Sequence, residues 1–321
     1  MKVSILIPTF NRRALLAESL QSAQAQTYRD VEILVSDNGS SDDTRALVAE
    51  VASADPRVRL LPLRPGVDMF ANFNYLIDQS VGDAFCILAD DDRLAPRFIE
   101  SLVQSLTDDP RIALAFCDHW IISETGTRLF DASTANSRRY GRADLAAGVV
   151  TDPTTLALRQ SVSVMFALYR ASVFRREHFD DACGGAADID YAVRAARVGV
   201  LYYVAERLGD YRVHRGTITA TRTSFMLDGT IRTYSKHTFT NPVHEAIRLD
   251  RLRSAYRTKA VFACTRSRRE WWESLTMYRR CGGSLAHPAL VLTCALALLP
   301  QGAGEAVRVG LKSIRGTLVR S

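Results

Sequence analysis

The first half of the chain alternates short apolar runs with helical stripes, and this alternation most constrains its fold. Val3-Ser4-Ile5-Leu6-Ile7 reads as a strand that runs into a polar turn, Pro8-Thr9-Phe10-Asn11-Arg12. Ala14, Leu15, Leu16, Ser19, Leu20 and Ala23 then recur at helical spacing. Val31 to Val35 is a second strand, Thr44 to Ala54 a helix capped by Asp42 or Asp43, and Val58 to Leu61 a third strand. Phe70 to Ser80 reads as a helix, Phe85 to Ala89 as a buried strand, and Phe98, Leu102 and Leu106 as the stripe of a helix after Pro96. Ile112 to Cys117 is a further strand. Strands that alternate with helices predict an α/β fold, a mostly parallel sheet with helices on both faces.

In such a sheet a ligand binds beyond the carboxyl ends of the strands, where helix N-termini also point. Polar turns stand at three of those ends. The first is Pro8 to Arg12, the second Ser36-Asp37-Asn38-Gly39-Ser40-Ser41-Asp42-Asp43-Thr44, and the third Asp90-Asp91-Asp92. Three consecutive acids repel each other and lose solvation at a strand end, a cost that a hard divalent cation removes. If the chain stays extended there, Asp90 and Asp92 point the same way and share one ion. The alternative is a solvated loop that caps the next helix.

These residues resemble the family 2 glycosyltransferases of the GT-A fold. The resemblance is carried by Pro8-Thr9-Phe10-Asn11-Arg12, by Asp37 to Thr44, and by Asp90-Asp91-Asp92 with Pro96, in that order. It covers about the first two-thirds of the chain and implies a GT-A catalytic domain over residues 1–220. Residues 1–118 form its nucleotide-sugar half and 119–220 its acceptor half. A mainly helical C-terminal region follows over 221–321.

The resemblance implies a sugar transfer from a nucleotide-diphosphate donor, with inversion and a divalent ion, Mn²⁺ or Mg²⁺. Pro8, Thr9, Asn11, Arg12, Asp37, Asp90 and Asp91 are then nucleotide-binding candidates, and Asp92, Asp90 and His214 metal candidates. Many relatives carry Asp-x-Asp-Asp four residues before a proline. Aligned on Pro96, this chain has Ala89 at the first acid, so Asp91 and Asp92 become the shared pair and Asp92 is implicated either way. The acid matching Asp37 recognises the base in the family. A carboxylate accepts the imide N–H of uracil or thymine, which favours a UDP- or dTDP-sugar; an Asx turn is the alternative role. Tyr211-Arg212-Val213-His214 resembles a late family stretch, with His214 a metal ligand or a diphosphate contact. In a strand, Arg212 would face away from His214.

Gly184 to Arg194 resembles the family segment that carries the catalytic base at a helix start. Asp188 matches the base, Ala187 replaces the usual Glu, and Asp190 is the runner-up. Two residues apart on a helix face about 200° apart, so only one of the two aspartates points into a site. A helix cap is the alternative role for Asp188.

Between these motifs, Ile121 to Leu129 reads as a hairpin about Gly126, Ser133 to Gly148 as a polar loop over the site, and Val162 to Arg170 as a strand. Leu201 to Val204 is another strand. Arg266-Ser267-Arg268-Arg269-Glu270-Trp271-Trp272 belongs to the C-terminal helices. The apolar run Pro288 to Pro300 is too short to span a bilayer, and Val307, Leu311, Ile314 and Leu318 form a stripe beside Arg308, Lys312, Arg315 and Arg320. That pattern suits an interfacial helix on anionic lipid, or equally a helix packed on protein, in this chain or in a homo-oligomer.

Composition sets outer bounds. A hydrophobic content of 47% over 321 residues supports a large core and excludes disorder. The charge of +6 suits phosphorylated donors or anionic headgroups, and no aromatic-interleaved basic motif indicates nucleic acid. Cys86, Cys117, Cys183, Cys264, Cys281 and Cys294 form no Cys-x-x-Cys pair and read as reduced. With no signal peptide legible at the N-terminus, the expectation is a cytoplasmic protein, peripheral on the inner face of the cell membrane. Its acceptor would be a glycan, glycolipid or small molecule, as in polysaccharide biosynthesis. Two other functions compete. A sugar-nucleotidyltransferase usually has a glycine-rich first turn, and Pro8 to Arg12 has none. A non-catalytic nucleotide-sugar-binding subunit would be distinguished by a lack of donor turnover.

Overall fold

The computed structural model describes residues 1–61, 66–175, 177–214, 223–264, 267–288 and 290–291. The chain divides into two compact units, Met1–Asp181 with Ala187–Thr221, and Ala182–Ala186 with Arg222–Ser321.

The first unit is built on a nine-stranded sheet. Its strands are β1 (Val3–Thr9), β2 (Val31–Asp37), β3 (Val58–Leu61), β4 (Ala84–Ile87), β5 (Arg93–Leu94), β6 (Ile112–Ile122), β7 (Gly148–Val149), β8 (Ala167–Arg170) and β9 (Val200–Arg212). The spatial order is β3-β2-β1-β4-β8-β6-β9-β5, with β7 paired to β9. Helices α1 (Arg13–Gln24), α2 (Thr44–Ala54) and α3 (Met69–Gln79) connect the first four strands, which pair in parallel as the alternation predicts. β1 and β2 are buried along their whole length, as strands covered on both faces must be. Beyond β4 the sheet is mixed. β8 enters antiparallel between β4 and β6, β6 and β9 are parallel, and β5 and β7 run antiparallel to β9.

α4 (Phe98–Asp108) packs Phe98, Ile99, Leu102, Val103 and Leu106 into the same core as Ile5, Ile33, Cys86, Ala115 and Leu168. Gly209 lets β9 pass the Phe166 ring, since a Cβ there would fall 2.0 Å from it. The hairpin about Gly126 is present, with Ser123 N–H donating to Thr127 O at 2.8 Å and Gly126 at φ 83°. β9 is one strand of 13 residues, joining two segments that read separately in the sequence.

The polar stretch from Ser133 is not all loop. α5 (Phe130–Arg139) covers its first part. The helix has no apolar stripe, so periodicity could not reveal it. It is held instead by buried hydroxyls. Ser133 Oγ donates to Leu129 O at 2.7 Å and accepts from Ile121 N–H at 2.9 Å, and Ser137 Oγ donates to the Asp118 carboxylate. Arg142, also buried, adds an ion pair to Asp118 at 2.7 Å. α6 (Pro153–Leu158), α7 (Ala171–Phe174) and α8 (Ala187–Val198) complete this unit.

The second unit contains α9 (Thr223–Lys236), α10 (Pro242–Ala263) and α11 (Arg268–Arg280). Ala260, Leu275, Tyr278 and Leu290 form a small core there. The apolar run from Pro288 and the basic stripe after it fall almost entirely outside the described residues. Among the described residues, no helix is long and apolar enough to cross a membrane. Cys86, Cys117, Cys183, Cys264 and Cys281 are buried.

Candidate active site

The first two turns are laced together. Thr9 and Asp37 are register partners at the ends of β1 and β2, and Asn38 N–H donates to Thr9 O at 3.0 Å. Pro8, which has no N–H, lies past Leu6↔Ile87, the last β1–β4 pair. Asn11 takes a left-handed conformation (φ 51°), a position Asn tolerates. Its backbone N–H donates to Ser40 Oγ at 2.8 Å, and its Oδ1 accepts from Ser41 N–H at 2.7 Å. Asp42 Oδ1 accepts from Thr44 N–H at 3.1 Å at the start of α2, whereas Asp43, at the cap position itself, makes no capping bond.

Asp37 is buried. Its Oδ1 accepts from the backbone N–H and the hydroxyl of Ser40. Its Oδ2 is buried without a hydrogen-bond partner among the described residues, and Arg45 Nε stands 3.9 Å away. Nearly all buried acceptors are bonded, so this oxygen, with only the long ion pair to Arg45, departs from the norm.

The acidic turn corrects one expectation. β4 ends at Ile87, and Asp90 and Asp91 lie in a turn closed by Asp92 N–H to Ala89 O at 3.2 Å. The chain is not extended here, so alternation does not pair Asp90 with Asp92. Instead each acid has its own partners. Thr9 Oγ1 donates to Asp90 Oδ2 at 2.8 Å, and Arg12 Nη1 donates to Asp90 Oδ1 at 2.9 Å and to Asp91 Oδ2 at 2.8 Å. His214 Nε2 stands 3.1 Å from the same Asp91 oxygen. Asp92 Oδ1 accepts from Arg212 N–H at 2.8 Å, and its other oxygen makes no hydrogen bond among the described residues.

Burial raises the Asp90 carboxyl above the usual range despite Arg12. It raises Asp92 further, with the charge of Asp91 adding to the effect. A cation beside Asp92 would restore its ionised form. Asp91 offers an oxygen 3.1 Å from the His214 nitrogen. Among the described residues, however, the acids, cysteines and histidines whose ligand atoms all lie within 4.8 Å of one another as a set of three are Asp180, Cys183 and Asp190, not those of the acidic turn.

β9 ends at Arg212, so strand alternation does not extend to His214, and both residues contact Asp91. Arg212 is only 1% exposed; its guanidinium donates to Asp91 O at 2.8 Å, Glu124 O at 2.8 Å and Glu18 Oε2 at 2.6 Å, while its backbone N–H holds Asp92. Sequence reasoning missed this support and missed Glu18. Glu18 lies on the polar side of α1, where nothing in the periodicity marks it.

Asp188 and Asp190 open α8 and differ sharply. Asp190 is fully buried and paired to Arg194 Nε at 2.9 Å; Arg194 also binds Glu177 at 2.6 Å. Asp188 accepts from Ile189 N–H at 2.8 Å and has no cationic partner among the described residues. Burial moves its pKa up to about 6. No hydrogen bond or ion pair among the described residues joins Asp188 to the Asp90–Asp92 turn.

Comparison with known proteins agrees with this architecture. The family model for glycosyl transferase family 2 matches residues 4–180. A GalNAc(5)-diNAcBac-PP-undecaprenol β-1,3-glucosyltransferase of Campylobacter jejuni is 36% identical over 110 residues, covering 33% of this chain and 35% of that protein. The putative glycosyltransferase EpsE of Bacillus subtilis is 26% identical over 186 residues, 56% of this chain and 64% of EpsE. Among solved structures, S. aureus TarS 1-349 in complex with UDP-GlcNAc superposes with a TM-score of 0.68 at 12% identity, covering 97% of this chain and 92% of that one. The mannosyltransferase PcManGT from Pyrobaculum calidifontis, in complex with GDP-Man and Mn²⁺, superposes at 0.59 with 18% identity, over 93% and 81% of the two chains. The chain spans only about a third of the C. jejuni relative's length. With more than half of its own length matched by the family model, this chain belongs to the family 2 glycosyltransferases and has the GT-A fold.

Proposed function

We propose that the protein transfers a sugar from UDP or dTDP to an acceptor hydroxyl by a single inverting displacement. The observation that carries the choice of donor is the orphaned Oδ2 of Asp37. One spare carboxylate oxygen fits the single imide N–H of uracil or thymine. Guanine presents two adjacent donors, and the second Asp37 oxygen is already committed to Ser40. The structural neighbours hold UDP-GlcNAc in one case and GDP-Man in the other, so they do not choose between bases.

In this reading Thr9, Asn11 and Asp37 shape the nucleotide pocket beyond Pro8, and Asp90 fixes Arg12 beside the diphosphate. Asp91, Asp92 and His214 would hold Mn²⁺ or Mg²⁺, which when bound supplies Lewis-acid stabilisation of the leaving diphosphate. Arg212 keeps Asp92 aimed through its backbone N–H. Asp188 takes the proton of the acceptor hydroxyl as that oxygen attacks the anomeric carbon. The bond to the diphosphate oxygen breaks on the opposite side, and the configuration inverts. Asp190 is neutralised by Arg194 and is the poorer base.

The C. jejuni relative is named for an undecaprenol-linked diphosphate acceptor. We extend that class, a glycan on a lipid carrier, to this protein, and with it peripheral attachment to the inner face of a membrane. A sugar-nucleotidyltransferase is disfavoured by the glycine-free first turn.

The test is calorimetric titration of UDP, dTDP and GDP with and without Mn²⁺, beside release of nucleoside diphosphate from a panel of donor sugars. UDP or dTDP should bind more tightly than GDP, and Asp92→Asn should weaken metal-dependent binding by roughly tenfold or more. Full turnover in excess EDTA would remove the metal from the scheme, and tighter GDP binding would reverse the base assignment. Absence of donor turnover with every sugar would favour a binding subunit.

A further inference from the structure

One face of α11 combines an exposed tryptophan with a cluster of arginines. Arg268, Trp272, Thr276 and Arg279 recur at helical spacing on one stripe, with Arg269 and Arg280 beside it. Trp272 is 63% exposed, although tryptophan normally buries its large ring. Its ring is stacked on that of Trp271, with centroids 5.2 Å apart and planes 8° from parallel, so it is presented in a fixed orientation. The adjoining side of the helix is anchored. Leu275 and Tyr278 are buried with Ala260 and Leu290. Glu273 is the acid at the edge of the exposed face, and it pairs with Arg269 at 2.9 Å. Among the described residues, Arg279 and Arg280 make no ion pair.

We infer that this face of α11 docks on an anionic phospholipid surface, with Trp272 at headgroup depth and the arginines on phosphates. The balance of four arginines to one glutamate gives the charge complementarity. A protein partner fits less well. Protein interfaces centre on a dehydrated apolar core, and Trp272 is the one large apolar side chain exposed on α11. A single amphipathic aromatic ringed by basic side chains is what the membrane–water interface accommodates. The inference concerns binding alone and holds whether or not the donor and metal assignments do.

The experiment uses the full chain with vesicles of phosphatidylcholine alone and of equimolar phosphatidylcholine and phosphatidylglycerol. Binding is read by sedimentation and by tryptophan quenching with brominated lipid. The mixed vesicles should bind the protein and the neutral ones should not. The double variant Arg279→Gln/Arg280→Gln should bind roughly twenty-five-fold more weakly, from about fivefold for each basic residue. Trp272→Ser should lose roughly fivefold and most of the quenching. Thermal unfolding checks that both variants fold, as substitutions at exposed positions should allow. Equal binding to neutral vesicles, no binding at all, or unchanged binding in both variants would overturn the inference. Loss of binding only on deletion of residues 292–321 would move the contact off α11. A lipid-free dimer dissolved by Trp272→Ser would put a second copy of the chain on this face instead.

Discussion

The acidic turn and the first turn of α8 treat buried carboxylates in opposite ways. At Asp90–Asp92 three acids are balanced by groups that a ligand can displace or join: the part-exposed Arg12, the His214 imidazole and a backbone N–H of Arg212. At α8, Asp190 is balanced by Arg194, itself clamped by Glu177, while Asp188 has no balancing cation among the described residues. Acid residues alone therefore do not identify a function. What neutralises them, and whether that group can leave, separates a ligand site from a structural pair and a structural pair from a base.

The strongest way to break this contrast is to exchange the roles of the two helix acids. Asp188→Asn should lower kcat by roughly 10²- to 10⁴-fold, the usual worth of a positioned base, with nucleotide affinity little changed. Asp190→Asn should cost much less in rate. With a pKa of about 6, Asp188 is ionised above that pH, so wild-type kcat should rise with pH up to about 6 and then level. A severe loss in Asp190→Asn with a near-normal Asp188→Asn would reassign the base.

Arg194→Met tests the structural half of the comparison. It removes the cation that neutralises fully buried Asp190, and such changes cost about 3–5 kcal/mol. Because Arg194 is partly exposed, about 2–4 kcal/mol is the expected loss in chemical denaturation. The double variant with Asp190→Asn should recover much of it. A change under about 0.5 kcal/mol, the size of an ordinary surface substitution, would mean that the pair carries no stability.

Asp188 should also carry an opposite signature in stability. Its folded pKa of about 6 lies above the ordinary 3.8, so between those values the folded state holds the extra proton. Its favourable contribution is present below the ordinary value and is lost as pH rises through about 6. Asp188→Asn removes that loss, so the slow variant should be more stable than wild type at pH 7.5, by about 1–3 kcal/mol, with the gain vanishing near pH 4. A destabilised variant at neutral pH would mark Asp188 as a helix cap.

The same contrast explains what was legible in the sequence. β1, β2 and the helices after them are local, periodic and bounded by turns, so hydrophobic spacing finds them. The three strand-end turns were legible because consecutive acids and Asn-Gly-Ser stretches are costly without a purpose. α5 was not legible, since two buried serines replace an apolar stripe, Ser137 bonded to Asp118 and Ser133 to the backbone of Leu129 and Ile121. The backbone partner of Asp92 comes from Arg212, more than a hundred residues away along the chain, and no local pattern encodes it, whereas His214 was legible from the family-like Tyr211–His214 stretch. The extended geometry expected at Asp90–Asp92 failed for a local reason: Asp92 N–H bonds back to Ala89 O and closes a turn.

Arg12 offers the finest test, because the displaceable cation of the acidic turn should act with opposite signs on two ligands. Its guanidinium lies 2.8 Å from the Asp91 oxygen that also faces His214. A metal ion approaching that oxygen must compete with Arg12 or be repelled by it. Arg12→Gln keeps a hydrogen-bond donor but removes the charge, so binding of Mn²⁺ alone should tighten by a few-fold. UDP should bind a few-fold more weakly at saturating Mn²⁺, since the diphosphate loses a cation. At a part-exposed position each effect should be about 1 kcal/mol, within the range of a screened ion pair. Both follow from titrations of Mn²⁺ and of UDP into one preparation. If the two affinities fall together, Arg12 organises the turn rather than occupying a place that the ligand takes. If neither moves, the Arg12 pairs to Asp90 and Asp91 hold the first helix in place, and the acidic turn then resembles Asp190 more than the contrast allows.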